Sequence, residues 1–478
     1  MKRKNVLLFG VGGGVSGVIG AVTMPITAWV MSPADVGKLS LLQVVLSLGV
    51  VLFGLGFDQS LARDYHAYRG GETRLFFSAL SPSLIFLSVI SSVCLLMAPT
   101  SISEFLFEVP SVGLSSLVLV CVAFALFVRF GAVLLRMQQR GAAFSVIQIA
   151  PKLLFLIFLF AAYAFGLQTA IDAAVSYQTA SMLIAAILAA LYLTPLLQFR
   201  ARVVDYKLII PMALYGLPLM VSGALSWGLF SLDRALLRQL STYDELAKYS
   251  VVMSIAAGVV MITNLLGTLW WPQVYKWVGS DKNLPRLESV LEFALAAATL
   301  AFCSAGFFSW MAPLFLPHQY ASIASLIPVC VGASLCYFLS EFTSVGINIS
   351  RKTWMSLIAS LGAFAVSFVL NIYLIPVLGG RGSAISGGVA FFTFLLLRTE
   401  LSVTVWRPFP RIRVYVLMST LLVMAMLHSW LGERFIILFS VMWFIVGAGS
   451  VYLFWPQYMD AFHRLRLELG RIRGAKVI

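Results

Sequence analysis

The sequence predicts an all-α, polytopic membrane protein of about fourteen transmembrane helices, arranged as two six-helix lobes in parallel repeat with two C-terminal helices. Three observations carry that expectation. Of 478 residues, 60% are hydrophobic and only 11% charged, whereas soluble domains carry about 25% charged residues. Apolar runs of about 20 residues, the length that crosses a bilayer, recur to the end of the chain. The Lys and Arg residues fall mainly in the short gaps between them. Length alone would imply about three soluble domains, but no polar domain interrupts the series.

The first run, 6–31, follows Met1-Lys2-Arg3-Lys4. It is too long for a signal peptide and lacks a small-residue cleavage site, so it reads as an uncleaved span. Gly10, Gly12, Gly13, Gly14, Gly17 and Gly20 precede Pro25 within it. Runs at 36–61, 75–98, 112–135, 142–165 and 171–197 complete a first set of six. The seventh, 208–232, carries Gly216, Pro218 and Gly223. Glycine permits close helix approach and proline bends an axis, so the first and seventh spans read either as tightly packed or as bending helices that line a cavity. Runs at 249–271, 288–315, 322–346, 353–376 and 383–406 close the second set, and 414–430 and 434–455 are appended. The domain reading is 1–200, 201–407, 408–456 and a tail, 457–478.

With the N-terminus inside, cytoplasmic segments hold 24 of the 33 Lys and Arg and outside loops hold six, leaving Arg129, Lys152 and Arg398 within spans. That bias places both termini in the cytoplasm. Trp29, Trp310, Trp354, Trp406, Trp430 and Trp455 fall near span ends, as an interfacial belt requires. In the tail, Phe462, Leu465, Leu469 and Ile472 recur at helical spacing against Arg464, Arg466, Arg471 and Arg473, the pattern of a basic helix lying on the inner membrane surface or of a docking site for a cytoplasmic partner.

A net charge of +14 invites a nucleic-acid reading, but no basic stripe with interleaved aromatics exists. The five cysteines, Cys94, Cys121, Cys303, Cys330 and Cys336, lie in apolar runs without CxxC spacing, so neither a disulfide framework nor a zinc site is expected. No metal or nucleophile constellation and no Walker-type loop occurs. No cofactor, metal or catalytic residue is therefore expected.

Asp35-Val36-Gly37-Lys38-Leu39-Ser40 opens the second span, and Glu245-Leu246-Ala247-Lys248-Tyr249-Ser250 opens the eighth. The order of residue types is the same: acid, apolar, small, Lys, apolar, Ser. Six spans separate the copies, an even number, so both have one orientation and form a parallel repeat.

Several segments resemble the bacterial polysaccharide flippases (Wzx type) of the multidrug/oligosaccharidyl-lipid/polysaccharide exporter superfamily. They are Met24-Pro25-Ile26, Ser32 through Gly37, Gly54-Leu55-Gly56-Phe57-Asp58-Gln59-Ser60-Leu61-Ala62-Arg63, Gly216-Leu217-Pro218-Leu219-Met220, Leu232-Asp233-Arg234 and Glu245 through Ser250. The resemblance implies two six-helix lobes around a cavity that opens alternately to either side of the bacterial inner membrane. It also implies an undecaprenyl-pyrophosphate-linked glycan as cargo, membrane lipids as surroundings, and polysaccharide polymerase and chain-length machinery as candidate partners. Fourteen spans match the lipid II flippases too, whereas drug exporters of the superfamily usually have twelve.

A charge at the membrane centre costs about 2.5–3.5 kcal/mol, so it faces a cavity or a partner. Arg129 and Lys152 lie about 9 and 15 Å inside their spans at 1.5 Å per residue, and neither span contains an acid. Two such cations suit a pyrophosphate; snorkelling, or an acid from another helix, is the alternative. Asp58 and Arg63 read as a local pair, or Arg63 as a substrate contact. Asp233 and Arg234 read as a gate or helix-end pair. Arg398 is expected to bond to Glu341 or Glu400, or to add to the anion site. Glu341 or Asp58 could otherwise titrate and couple transport to a proton or sodium ion. A multidrug exporter and a membrane polysaccharide polymerase are the competing functions. The polymerase would need catalytic groups in sizeable loops, and the outside loops are short.

Overall fold

The computed structural model describes residues 3–68, 71–167, 169–194, 204–278, 284–350, 352, 354–432 and 434–459. In chain order the helices are α1 (Arg3–Val30), α2 (Pro33–Gly54), α3 (Phe57–Asp64), α4 (Glu72–Met97), α5 (Ser101–Phe107), α6 (Val112–Met137), α7 (Gly141–Ala164) and α8 (Ile171–Leu193). They continue as α9 (Ile209–Leu240), α10 (Tyr243–Val278), α11 (Leu284–Phe307), α12 (Ile327–Thr343), α13 (Val345–Ile349), α14 (Trp354–Leu378), α15 (Gly380–Val405), α16 (Ile412–Leu431) and α17 (Ile436–Leu453). Among the described residues there is no strand. This is the chemistry of a lipid solvent, in which each backbone N–H and C=O must be satisfied within its own segment.

Among the described residues, thirteen stretches are long and apolar enough to cross a membrane, and His318–Ser325 with Ile327–Thr343, bent by 52°, makes a fourteenth. These correspond in order to the fourteen runs read from the sequence. The bent span follows Pro313 and Pro317, each without an N–H to extend a helix. Trp29, Trp310, Trp354, Trp430 and Trp455 are exposed, as belt residues are; Trp406 instead packs beside Trp270 and Val345. The free cysteines are buried apart from the half-buried Cys94. The basic amphipathic tail, from residue 460 onward, lies outside the described residues.

One span departs from its expected form. The run at 36–61 is not a single helix: α2 stops at Gly54 and α3 restarts at Phe57. Leu55 and Gly56 between them are left-handed, with φ of 51° and 70°. The break has a packing reason. The Gly56 and Gly216 backbones meet so closely that a Cβ at either position would overlap the other residue's main chain. Only glycine suits both the left-handed φ and the approach.

The chain divides into two compact units. The first comprises Met1–Ser254 with Ile375–Gly380, the second Ile255–Leu374 with Arg381–Ile478. The first unit runs past the 200/201 boundary read from the sequence because α9 lies along α2 and α3. Within it, α1 packs on α7 through Gly12 against Ser145, and α6 on α8 through Gly131 against Ala189, the small-residue contacts expected where apolar packing alone cannot hold helices together in lipid.

The second unit is organised around aromatic rings. Phe302 of α11 and Trp443 of α17 stack with centroids 5.5 Å apart. The Trp443 indole N–H donates to His428 Nδ1 at 3.1 Å, and His428 stacks on Phe439. Gly306 lies under the Trp443 ring and Gly332 under Phe302, with no room for a methyl group at either position. Overpacking a filled core costs about 1–3 kcal/mol. Gly306→Ala should therefore lower the melting temperature of the detergent-solubilised protein, whereas Gly449→Ala, which meets nothing within 4 Å, should leave it unchanged. Equal melting of the two variants would contradict this packing.

Candidate functional site

The two copies of the repeated motif face each other in the first unit. Ser32 caps α2, accepting from Asp35 N at 3.2 Å, and Thr242 caps α10, accepting from Glu245 N at 3.3 Å. Both are capping boxes by position, which extends the repeat to Ser32–Ser40 and Thr242–Ser250. Five residues beyond each motif's acid, Ser40 and Ser250 share a buried hydrogen bond, Oγ to Oγ, of 2.5 Å. Gly37 lies so close to the Tyr243 carbonyl that any side chain would collide with it. The copies have diverged in their acids. Asp35 stays local and accepts from the Ser32 hydroxyl at 2.8 Å. Glu245, one methylene longer, accepts from Lys248 and from the Gly380 N–H, both at 3.1 Å.

Around this seam, Arg238 pairs with Glu108 at 3.1 Å and sits over the Tyr243 ring at 4.6 Å, while the Tyr243 hydroxyl donates to the Leu106 carbonyl. At the opposite end of α2, Ser60 of α3 donates to the Met212 carbonyl of α9 at 2.9 Å, and Arg63 covers the Tyr215 ring at 4.0 Å. The loops beyond are tied by Tyr65 to Glu72 and Tyr68 to Asp205. Burial first, then the carboxylate partner, raises the pKa of both phenols, so both remain donors at neutral pH.

The charged residues singled out in the sequence fall into distinct environments. Arg129 is not unpaired: its guanidinium bonds Asp58 at 2.9 Å, with side-chain exposures of 49% and 13%. The break at Leu55–Gly56 starts a new helix, and that helix carries Asp58 to α6. The local Asp58–Arg63 pair does not form. Residues five apart lie about 140° apart around a helix, on different faces, and Arg63 forks its neighbour Asp64 instead. Lys152 has no acid within reach among the described residues; its ammonium donates to the Ser16 carbonyl of α1 at 2.9 Å and lies against Gly20. Asp233 is buried and accepts from the Tyr249 hydroxyl and the Arg234 backbone N–H, so no Asp233–Arg234 side-chain pair forms among the described residues. In the second unit Arg398 bonds Glu341, with exposures of 11% and 17%, which commits it to that acid rather than to an anion site. Glu400 accepts from Arg411 and Tyr415.

The sequence carries no signal for the Tyr249 and Tyr215 contacts, whereas Ser40 and Ser250 are marked by their place at the end of the repeated motif. Gln43 and Gln178 carry a signal too, an amide inside an apolar run.

The architecture is that of a many-helix membrane protein with an internal repeat meeting at one seam. The family described as polysaccharide biosynthesis protein matches residues 3–278, and the chain belongs to that family. A comparison with curated proteins returns no significant match. Among solved structures, the fold is similar to "Lipid II flippase MurJ, inward closed conformation", with a TM-score of 0.71, 13% identity, and coverage of 95% of this chain and 100% of that one. It is also similar to inward- and outward-facing "multidrug resistance MATE family transporter of the MOP superfamily" structures. Their TM-scores are 0.54 and 0.52, at 14% and 16% identity, covering 86% and 87% of this chain and 96% and 97% of theirs.

Removing one member of a buried ion pair costs about 3–5 kcal/mol, while replacing both with apolar groups costs far less. Arg398→Met and Glu341→Leu should each lower the melting temperature strongly, and the double variant should recover much of the loss. Additive losses in a double-mutant cycle would show that the pair does not matter energetically.

Proposed function

We propose that this protein is a flippase that carries undecaprenyl-pyrophosphate-linked oligosaccharide repeat units across the bacterial inner membrane by alternating access. Both termini lie in the cytoplasm in this reading, in keeping with the four-to-one bias of Lys and Arg among the loops. Helices 1–6 and 7–12 of the fourteen spans act as two lobes, and the final pair is appended. The observation that carries the proposal is Lys152, about 16 Å along α7 from Gly141 at 1.5 Å per residue. Its ammonium has only a main-chain carbonyl for a partner among the described residues, in a chain of the polysaccharide biosynthesis family. An unneutralised cation at that depth is expensive unless an anion visits it, and the pyrophosphate of a lipid-linked glycan is such an anion. Arg129, half exposed beside Asp58, could exchange its carboxylate for a phosphate oxygen.

A small-molecule exporter is the second reading, favoured by the fold shared with the multidrug transporters. A cationic drug would need a free carboxylate in the path. Asp58, Asp233 and Glu341 are each engaged.

In cells deleted for this protein, the lipid-linked repeat unit should accumulate on the cytoplasmic leaflet. Wild type should relieve this, Lys152→Arg should relieve it largely, and Lys152→Ala should fall short by tenfold or more, the scale of one charge-assisted hydrogen bond of about 1.5–3 kcal/mol. Normal translocation in the deletion strain would refute the flippase reading. Full relief by Lys152→Ala would remove the anion site.

A further inference from the structure

Four uncharged polar side chains meet inside the first unit, and none of them belongs to the charged set discussed above. Gln43 and Ser47 lie one turn apart on α2, on one face. Gln178 reaches Gln43 from α8, with Nε2 of Gln43 donating to Oε1 of Gln178 at 3.0 Å. Trp227 reaches Ser47 from α9, its indole N–H donating to Oγ at 3.0 Å. Gln43 is about 15 Å and Ser47 about 21 Å from the start of α2 at 1.5 Å per residue, so this polar ladder lies in the middle of the span.

The ladder is not sealed as interhelical glue would be. Ser47 is exposed and the Trp227–Ser47 bond is open to solvent. Oε1 of Gln43 and Nε2 of Gln178 make no protein hydrogen bond among the described residues, and neither is among the fully buried orphan atoms. Gln178 is itself buried and holds Gln43 in place, whereas Gln43 is half-buried beside the exposed Ser47; its unspent amide valence is costly against hydrocarbon and cheap against a polar ligand. The Ser47 hydroxyl also donates to the Val44 carbonyl at 2.8 Å, so it is spent; its work is to fix the plane of the indole.

We infer that the ladder is a sugar-recognising subsite, in which the Trp227 ring packs on the C–H face of a pyranose and the Gln43 amide, held by Gln178, reads its hydroxyls. A fixed aromatic face beside a free amide acceptor complements a ring whose faces are apolar and whose edge is hydroxylated. No charge is needed for that task, and the ladder contains none. The inference rests on the flippase reading and adds to it the residues that discriminate one glycan from another.

The test uses the full-length protein in lipid nanodiscs with two probes: bare undecaprenyl pyrophosphate, and the lipid-linked glycan fraction extracted from cells deleted for this protein. Wild type should bind the glycan-bearing probe roughly tenfold more tightly than the bare lipid, the worth of one or two net hydrogen bonds. Trp227→Leu, and separately Gln43→Leu with Gln178→Leu, should bring that ratio towards one while leaving bare-lipid binding unchanged. Unchanged bare-lipid binding also shows that the variants are folded. Trp227→Phe keeps a ring and should retain more of the ratio than Trp227→Leu. Equal binding of both probes by wild type, or an unchanged ratio in the Leu variants, overturns the subsite. Failure of wild type to bind either probe overturns the flippase reading itself.

Discussion

A polar group within the hydrocarbon has to find a partner, and the arrangement of this protein follows from that constraint. Backbone groups meet it by forming helices in each of the candidate spans. Charged side chains meet it by pairing across helices. Asp58 reaches Arg129 and Glu341 reaches Arg398 from spans far away in sequence. Hydroxyls and amides meet it by bonding to each other or to the carbonyl one turn back, as Thr179 and Thr299 do. Against that background the Lys152 ammonium stands out: it has a single carbonyl acceptor among the described residues. A phosphate is the kind of group that would complete its shell.

The same constraint explains the seam between the repeats. Two serines facing each other in an apolar environment satisfy one another without committing either helix to a long-range charge. The bond is worth about 1 kcal/mol net, enough to hold a contact and little enough to break and re-form. Gly37 and Gly56 let backbones close on each other at the two ends of α2. The Asp35 and Glu245 copies show how one motif came to do two jobs: the shorter acid caps its own helix, and the longer one holds the Gly379–Gly380 turn.

Much of this was legible in the sequence. Fourteen apolar runs were visible because a bilayer sets one length for every span. The repeat was visible because its six residues keep their order of types. The Arg398–Glu341 bond was one of two pairings open to Arg398. The Asp58–Arg129 pair was not legible. It depends on a left-handed Leu55, a conformation that leucine rarely adopts, and on a partner 71 residues away. Nor was the Tyr249–Asp233 bond legible, because a tyrosine in an apolar run reads as a belt or core residue. Sequence periodicity reports which face is apolar; it does not report which helix that face meets.

Under the flippase function proposed above, lipid-linked glycan would cross by parting the helices that Ser40 and Ser250 join. The most direct measurement places Ser40→Cys and Ser250→Cys in a background whose five native cysteines are replaced, and reconstitutes the protein into vesicles containing the lipid-linked glycan. The fraction of glycan reached by an external lectin is then followed with the disulfide reduced and oxidised. The account predicts exchange between leaflets in the reduced form and none in the oxidised form. Equal exchange in both forms would contradict it, because the seam would then stay shut throughout transport.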